Sequence, residues 1–402
     1  RLLQEQRISE AQDCYRELSL KITSQRLKVE KIDLAVIKAV MAGYEGNEKE
    51  SDEQFREAHR ILDENLGMNW SRALFLLNWE STIAIFQKNY NKLESITKEY
   101  LKVASANNQK DSLPWIYIAS AKARIGLKND GEAGEYIQKA IDFIEEKRKI
   151  DSATLSIGVM EVLFEAYQLK IELEFKQNNF EESFLASELL RSRWLQDKIS
   201  NNRVSQNRQI DENKSRQIFE TSKEFLEKPF DLILSKKLAA LESGSLFYEV
   251  HSGSEVSALD LTKQLEYSLI DDETSVVTYA FISDKLIAFV YRKGKKVGAF
   301  RLDLSLTQAD KISTEINKQI KNGIYYKQDG KKIYDLLLKP LNLGKLSRLI
   351  IIPDKSLWKI PFQALSTDGK TYLIENFEIS YSPSISILFN QLKAAKPERK
   401  TF

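Results

Sequence analysis

Four consecutive aliphatic residues, Leu349-Ile350-Ile351-Ile352, are followed at once by Pro353-Asp354. Such a run has no polar face. A strand built from it must be covered on both sides, as in a parallel sheet sandwiched by helices. Proline has no N–H for the ladder and presets a turn, so the strand stops at residue 352. An apolar cluster without regular period follows: Leu357, Trp358, Ile360, Pro361, Phe362 and Leu365. Thr367-Asp368-Gly369-Lys370 reads as a surface turn. Phe377, Ile379 and Tyr381 alternate with Glu378 and Ser380, which predicts a second strand. Ser382-Pro383-Ser384 then predicts a helix start, with Ser382 as N-cap and Pro383 in the first helical position.

Three segments taken together, YDLLLKPL (334–341), IIIPDKSLWKIPFQAL (350–365) and YLIENFEISYSPS (372–384), resemble the front half of a CHAT domain. That is the caspase-like domain found after tetratricopeptide (TPR) repeats. Three ordered segments form a far more specific signal than one short motif. The resemblance implies a caspase-like α/β fold and a cysteine-peptidase His–Cys dyad, placed after the part of the domain present here.

The chain has 402 residues, enough for two domains that each bury a core. With only 15 glycines and 7 prolines, the composition favours long helices over a turn-rich β protein. No window is long and apolar enough to span a membrane, and no signal peptide opens the chain. It begins with Arg1, so we expect the natural N-terminus to lie upstream. A single cysteine, Cys14, allows no internal disulfide, which fits a cytoplasmic protein. A net charge of +2 is too mild to argue for a nucleic-acid surface.

Residues 1–200 read as helical hairpins. Ile8/Ala11, Asn47/Ser51, Tyr90/Leu93, Asp130/Ala133 and Phe180/Ser183 recur at a spacing longer than an ideal TPR, each opening a second helix. Lys88-Asn89, Gly126 to Gly131 and Gln177-Asn178-Asn179 are the turns. Ala39, Ala42, Ala58, Ala84, Ala121 and Ala140 let helices approach closely. Such repeats are expected to stack as an α-solenoid. In the last one, Glu188, Arg191, Ser192, Arg193 and Leu195 resemble the Glu-Arg-Ser-Arg-rich helix that closes the array in TPR–CHAT proteins. Phe219 to Leu241 is apolar at helical spacing. The fold class expected is therefore multidomain, α plus α/β: a TPR-like α-solenoid over 1–242, a Gly/Ser-rich linker over 243–257, and the N-terminal half of a CHAT (caspase-like) domain over 258–402.

Within that last part, Leu259 to Leu269 predicts a helix. A meander follows over Val276–Ile282, Lys285–Tyr291 and Val297–Leu302. Thr307 and Asp310 are expected to cap a helix carrying Ile312, Ile316 and Ile320. Lys331–Lys339 predicts another, ended by Pro340. Helix followed by buried strand implies a right-handed parallel connection. The chain stops at Phe402, where the family would add another strand, so an exposed strand edge is expected.

Candidate chemistry is sparse. Thiol catalysis needs a cysteine with an imidazole beside it. Cys14 is expected to be a small, at least half-buried helix residue, His59 a surface one, and His251 a linker residue. None matches the family's His–Gly or catalytic-Cys segments, so no residue of this chain is assigned as catalytic, cofactor-binding or metal-binding, and no cofactor is expected. Ser252-Gly253-Ser254 lacks the strand–turn–helix setting of a nucleophile elbow. Asp271-Asp272-Glu273 reads as a solvated turn. Arg292-Lys293-Gly294-Lys295-Lys296 reads as a charged hairpin tip. Trp358 and Phe362 read as core. The repeat groove is the better surface for a protein or peptide partner, with Trp70, Trp79, Trp115, Tyr117 and Tyr167 as possible anchors, although intra-array packing claims most of them.

Two functions remain open from sequence. One is the N-terminal portion of a TPR–CHAT cysteine endopeptidase, inactive by itself because its dyad lies beyond residue 402, with partner-binding repeats that regulate the protease domain. The other is a non-catalytic TPR scaffold. A second chain could complete the CHAT domain. Neither membrane nor nucleic-acid contact is expected.

Overall fold

The computed structural model describes residues 8–25, 30–66, 70–150, 157–191, 272–324, 327–344 and 347–388. Two compact units divide it, Arg1–Leu169 and Lys170–Phe402. The expected linker, the helices over 219–241 and 259–269, and His251 lie outside the described residues.

The first unit is built from helices: α1 (Ile8–Gln25), α2 (Glu30–Tyr44), α3 (Glu48–Leu66), α4 (Trp70–Phe86), α5 (Tyr90–Ala106), α6 (Leu113–Gly126), α7 (Asp130–Ile150) and α8 (Ile157–Lys176), the last running on into the second unit. One turn recurs between paired helices. A left-handed residue is followed by asparagine: Gly46-Asn47, Lys88-Asn89 and Lys128-Asn129. In each, the asparagine N–H returns to a carbonyl of the preceding helix (Ala42, Ala84 and Arg124). That is the six-to-one closure of a Schellman end. The asparagine carboxamide then accepts the N–H of Glu50, Lys92 or Glu132, capping the next helix. The same backbone turn recurs at Asn178-Asn179 in the second unit, where Asn179 N–H returns to Glu174.

Between the helices the small side chains sit where expected. Ala39, Ala58 and Ala84 are fully buried among Val36, Phe55, Leu76, Leu77, Ile83 and Leu93. Arg124 ties three helices together. Its guanidinium meets Glu94 of α5 at 3.0 Å and Glu132 of α7 at 2.9 Å.

The second unit is organised on a five-stranded sheet: β1 (Thr274–Ile282), β2 (Lys285–Arg292), β3 (Gly298–Leu302), β4 (Arg348–Ile352) and β5 (Glu378–Tyr381), in spatial order β3-β2-β1-β4-β5. The β1–β2–β3 meander is antiparallel, whereas β4 runs parallel to β1 and β5 parallel to β4. Every residue of β1 is buried, so both sheet faces are covered. On one face Val277, Tyr279, Leu286, Ala288, Leu349 and Ile351 pack beneath α10 (Leu306–Lys321) and α11 (Lys327–Leu337). The other face meets the end of α8 and the next helix, α9, described over residues 180–191. There the Phe184 and Phe289 rings lie 5.7 Å apart, and the Arg301 guanidinium stacks 5.1 Å from the Phe175 ring.

Two caps differ from expectation. Ser305, not Thr307, caps α10, in a reciprocal box with Gln308. After β5 the helix begins at residue 385, not 383, and Ser384 rather than Ser382 accepts from the Ile387 N–H. The hydroxyl of Ser382 instead donates to the Ser384 carbonyl, and the helix start at residue 385 leaves Ser384 in the cap position.

Candidate functional site at the carboxyl ends of the parallel strands

In open α/β sheets, ligand sites form outside the carboxyl ends of the parallel strands. Here those ends belong to β1, β4 and β5. The β1–β4 ladder pairs Thr278 with Ile352 and stops at Pro353, while β1 continues to Ile282. Two backbone groups on β1 therefore lose their β4 partners, and side chains take them. Asp354 accepts the Phe281 N–H at 2.7 Å. Arg191 of α9 donates to the Tyr279 carbonyl at 2.5 Å.

One helical turn before Arg191 is Glu188, whose side chain is almost wholly buried (1 % exposed). It accepts the N–H of Ile385 at 2.9 Å and lies 3.4 Å from Arg191. Burial pushes its carboxyl above the usual carboxylate range. The Arg191 charge and the Ile385 N–H pull in the opposite direction without overcoming burial. The Ile385 N–H is one of the donors left free at the start of a helix, where a carboxylate is stabilised further. Tyr381 completes the rim. Its hydroxyl donates to Gln363 at 2.6 Å and accepts the Phe362 N–H at 2.9 Å. This end of the sheet is thus held by two charged side chains of α9 and by the segments following β4 and β5.

Family comparison assigns this region. The CHAT-domain family model matches residues 327–401. This CHAT-like part contains α11, β4, β5 and the helix that starts at residue 385, and its similarity is to a caspase-like protease family. The strands β1 to β3 and helix α10 precede the match yet belong to the same sheet and core. No curated protein matches the chain at a significant level.

The residues weighed from sequence fall elsewhere. Cys14 is exposed on α1, not half-buried. His59 is less exposed than a surface reading implies. It is partly buried, with Nε2 3.0 Å from Glu80 Oε2 of α4. The contact spans 21 positions and so leaves no periodic trace in the sequence. Lys92 of α5 reaches the same carboxylate at 3.6 Å and pairs with Asp52. Among the described residues no group of three His, Cys, Asp or Glu side chains could hold a metal ion, and no helix is long and apolar enough to cross a membrane.

Glu273 anchors a strand rather than a reaction: its carboxylate accepts from the Ser347 hydroxyl at 2.6 Å. Arg292 donates to the Asn342 carbonyl at 2.7 Å, while Lys293, Lys295 and Lys296 are exposed. Phe362 is fully buried and stacks 5.8 Å from Tyr279, whereas Trp358 is half exposed. Of the aromatic anchors, Tyr167 is buried, Trp79 and Tyr117 are partly buried, and Trp115 is exposed. The side chain of Trp70 lies outside the described residues.

Proposed function

We propose that this chain is the N-terminal portion of a TPR–CHAT caspase-like cysteine endopeptidase. The observation that carries the proposal is the CHAT match at 327–401, lying on parallel strands whose carboxyl ends form the candidate site. In this reading the His–Cys dyad is supplied beyond residue 402. The helical hairpins of the first unit act as a TPR-like solenoid that binds a protein or peptide partner. That binding regulates the protease domain, in a cytoplasmic setting favoured by the lone cysteine. A second chain could supply the missing half if the protein is processed.

The test is peptide cleavage by the full natural gene product, with and without proteins that co-purify on its repeats. Partner-dependent cleavage supports the reading. A full-length product that cleaves nothing with any such partner overturns it. A second reading, a non-catalytic scaffold, is favoured by Phe75, Trp115 and Phe164, which are exposed on α4, α6 and α8. Partner binding without cleavage would select it.

A further inference from the structure

Glu188 and Arg191 sit one turn apart on α9, yet their partners, Ile385 at the helix start after β5 and Tyr279 inside β1, are far apart in sequence. We propose that the two act as one positioning unit, holding the Tyr279 carbonyl of β1 and the Ile385 amide after β5 in a single arrangement at the carboxyl end of the sheet. The consequence for a protease rests on the reading above, in which this sheet end carries the site. The positioning itself does not.

Geometry favours this role over simple packing. The aromatic contact of Phe184 with Phe289 already buries α9 against the sheet. The charged pair adds little that an apolar pair would not, because removing two charges from water offsets most of their attraction. What it adds is direction. A carboxylate accepting one helix-start N–H, and a guanidinium donating to one strand carbonyl, admit few alternative registers. The pair also fills gaps the backbone cannot. Past Pro353 the β4 ladder no longer serves Tyr279, and the Ile385 N–H is a helix-start donor with no intrahelical partner. Since both side chains project from one helical turn, a displacement of α9 would release both strand ends together. Both of these contacts therefore hang on one helix outside the CHAT match, beside the separate hold of Asp354 on Phe281.

The test uses hydrogen–deuterium exchange of the intact chain, read by mass spectrometry at residues 279–282 and 385–388. Four variants are compared: Glu188→Ala, Glu188→Gln, Arg191→Met, and the double Glu188→Leu/Arg191→Met. The two single truncations should each speed exchange at both segments by about tenfold or more, directly at the Ile385 amide and, at 279–282, through local opening of β1, since the Arg191 bond is to a carbonyl and holds no exchangeable hydrogen itself. Glu188→Gln retains an acceptor and should restore much of the protection at 385–388. The double variant keeps the volume, so it should fold with α2 to α7 unchanged, yet exchange at both segments faster than wild type and no faster than the worse single variant. Wild-type exchange in the double variant would show that the pair only fills space and would overturn the proposal. So would strictly separate effects, with Glu188 variants moving only 385–388 and Arg191 variants only 279–282. This readout needs no peptidase activity, so it stands or falls separately from the cleavage assay.

Discussion

Tyr279 donates its hydroxyl to the carbonyl of Leu337 at 2.9 Å, joining the centre of the sheet to the last turn of α11. Both residues are fully buried. The carbonyl is one of those a helix end leaves unpaired, so the tyrosine supplies a bond that the backbone cannot. Burial raises the phenol well above its ordinary pKa, so it remains a donor across the neutral range. Replacement by phenylalanine should keep the ring stack on Phe362 and lose about 1–3 kcal/mol through the orphaned carbonyl. The measurement is local: exchange of the β1 amides under mild denaturant.

The His59–Glu80 contact predicts a pH dependence in the first unit. The hydrogen bond to Glu80 raises the His59 pKa above its usual 6.5, burial opposes this, and the Glu80, Glu99 and Asp63 charges add to the rise. Lys92 and Asp52 complete the surroundings. A raised folded-state pKa means the charged pair stabilises fully below about pH 6.5 and is lost as pH climbs through the raised value. The melting temperature of the first unit should therefore fall from pH 6 to pH 8. His59→Gln should flatten that slope, and an unchanged slope would contradict the assignment.

Two glycines should respond in opposite directions to alanine. A Cβ at Gly126 would come within 2.1 Å of the Tyr90 ring, where α5 and α6 pack. Gly126→Ala should destabilise the first unit by about 1–3 kcal/mol. At Gly131, in the first turn of α7, a Cβ meets nothing within 4 Å. Gly131→Ala should stabilise by about 0.4–1 kcal/mol. Thermal denaturation followed by circular dichroism separates the two signs.

The cap of α10 gives a further local test. Ser305 accepts the Gln308 N–H at 3.2 Å, and Gln308 returns a carbonyl to the Ser305 N–H at 2.8 Å. Ser305→Ala should cost about 1 kcal/mol, whereas Thr307→Ala should change little. Equal effects would move the cap back to the residue that the sequence pattern favours.

Elements with uninterrupted local signals were legible in the sequence. The Leu349–Ile352 run suited a strand covered on both faces, and it is β4, with Leu349, Ile351 and Ile352 buried and Ile350 partly so. The turns at Lys88-Asn89 and Lys128-Asn129 announced themselves because asparagine both ends one helix and caps the next. Contacts between distant segments were not legible. Glu188 stood out by its resemblance to the helix that closes the array, but its partner Ile385, 197 positions away, was not legible. His59 looked exposed for the same reason. The cap at Ser305 was missed because Thr307 offers an equally good local pattern, and only the fold decides between them. The candidate site was legible as a family resemblance that also singled out Glu188 and Arg191, while the backbone groups those two side chains hold were not.

The caspase-like reading is tested most directly by treating the full natural gene product with a peptide-based thiol electrophile and mapping the adduct by mass spectrometry. The account predicts one labelled cysteine beyond residue 402, protected by excess substrate peptide, with labelling unchanged by Cys14→Ser. Labelling confined to Cys14, or no labelled thiol beyond residue 402, would contradict it.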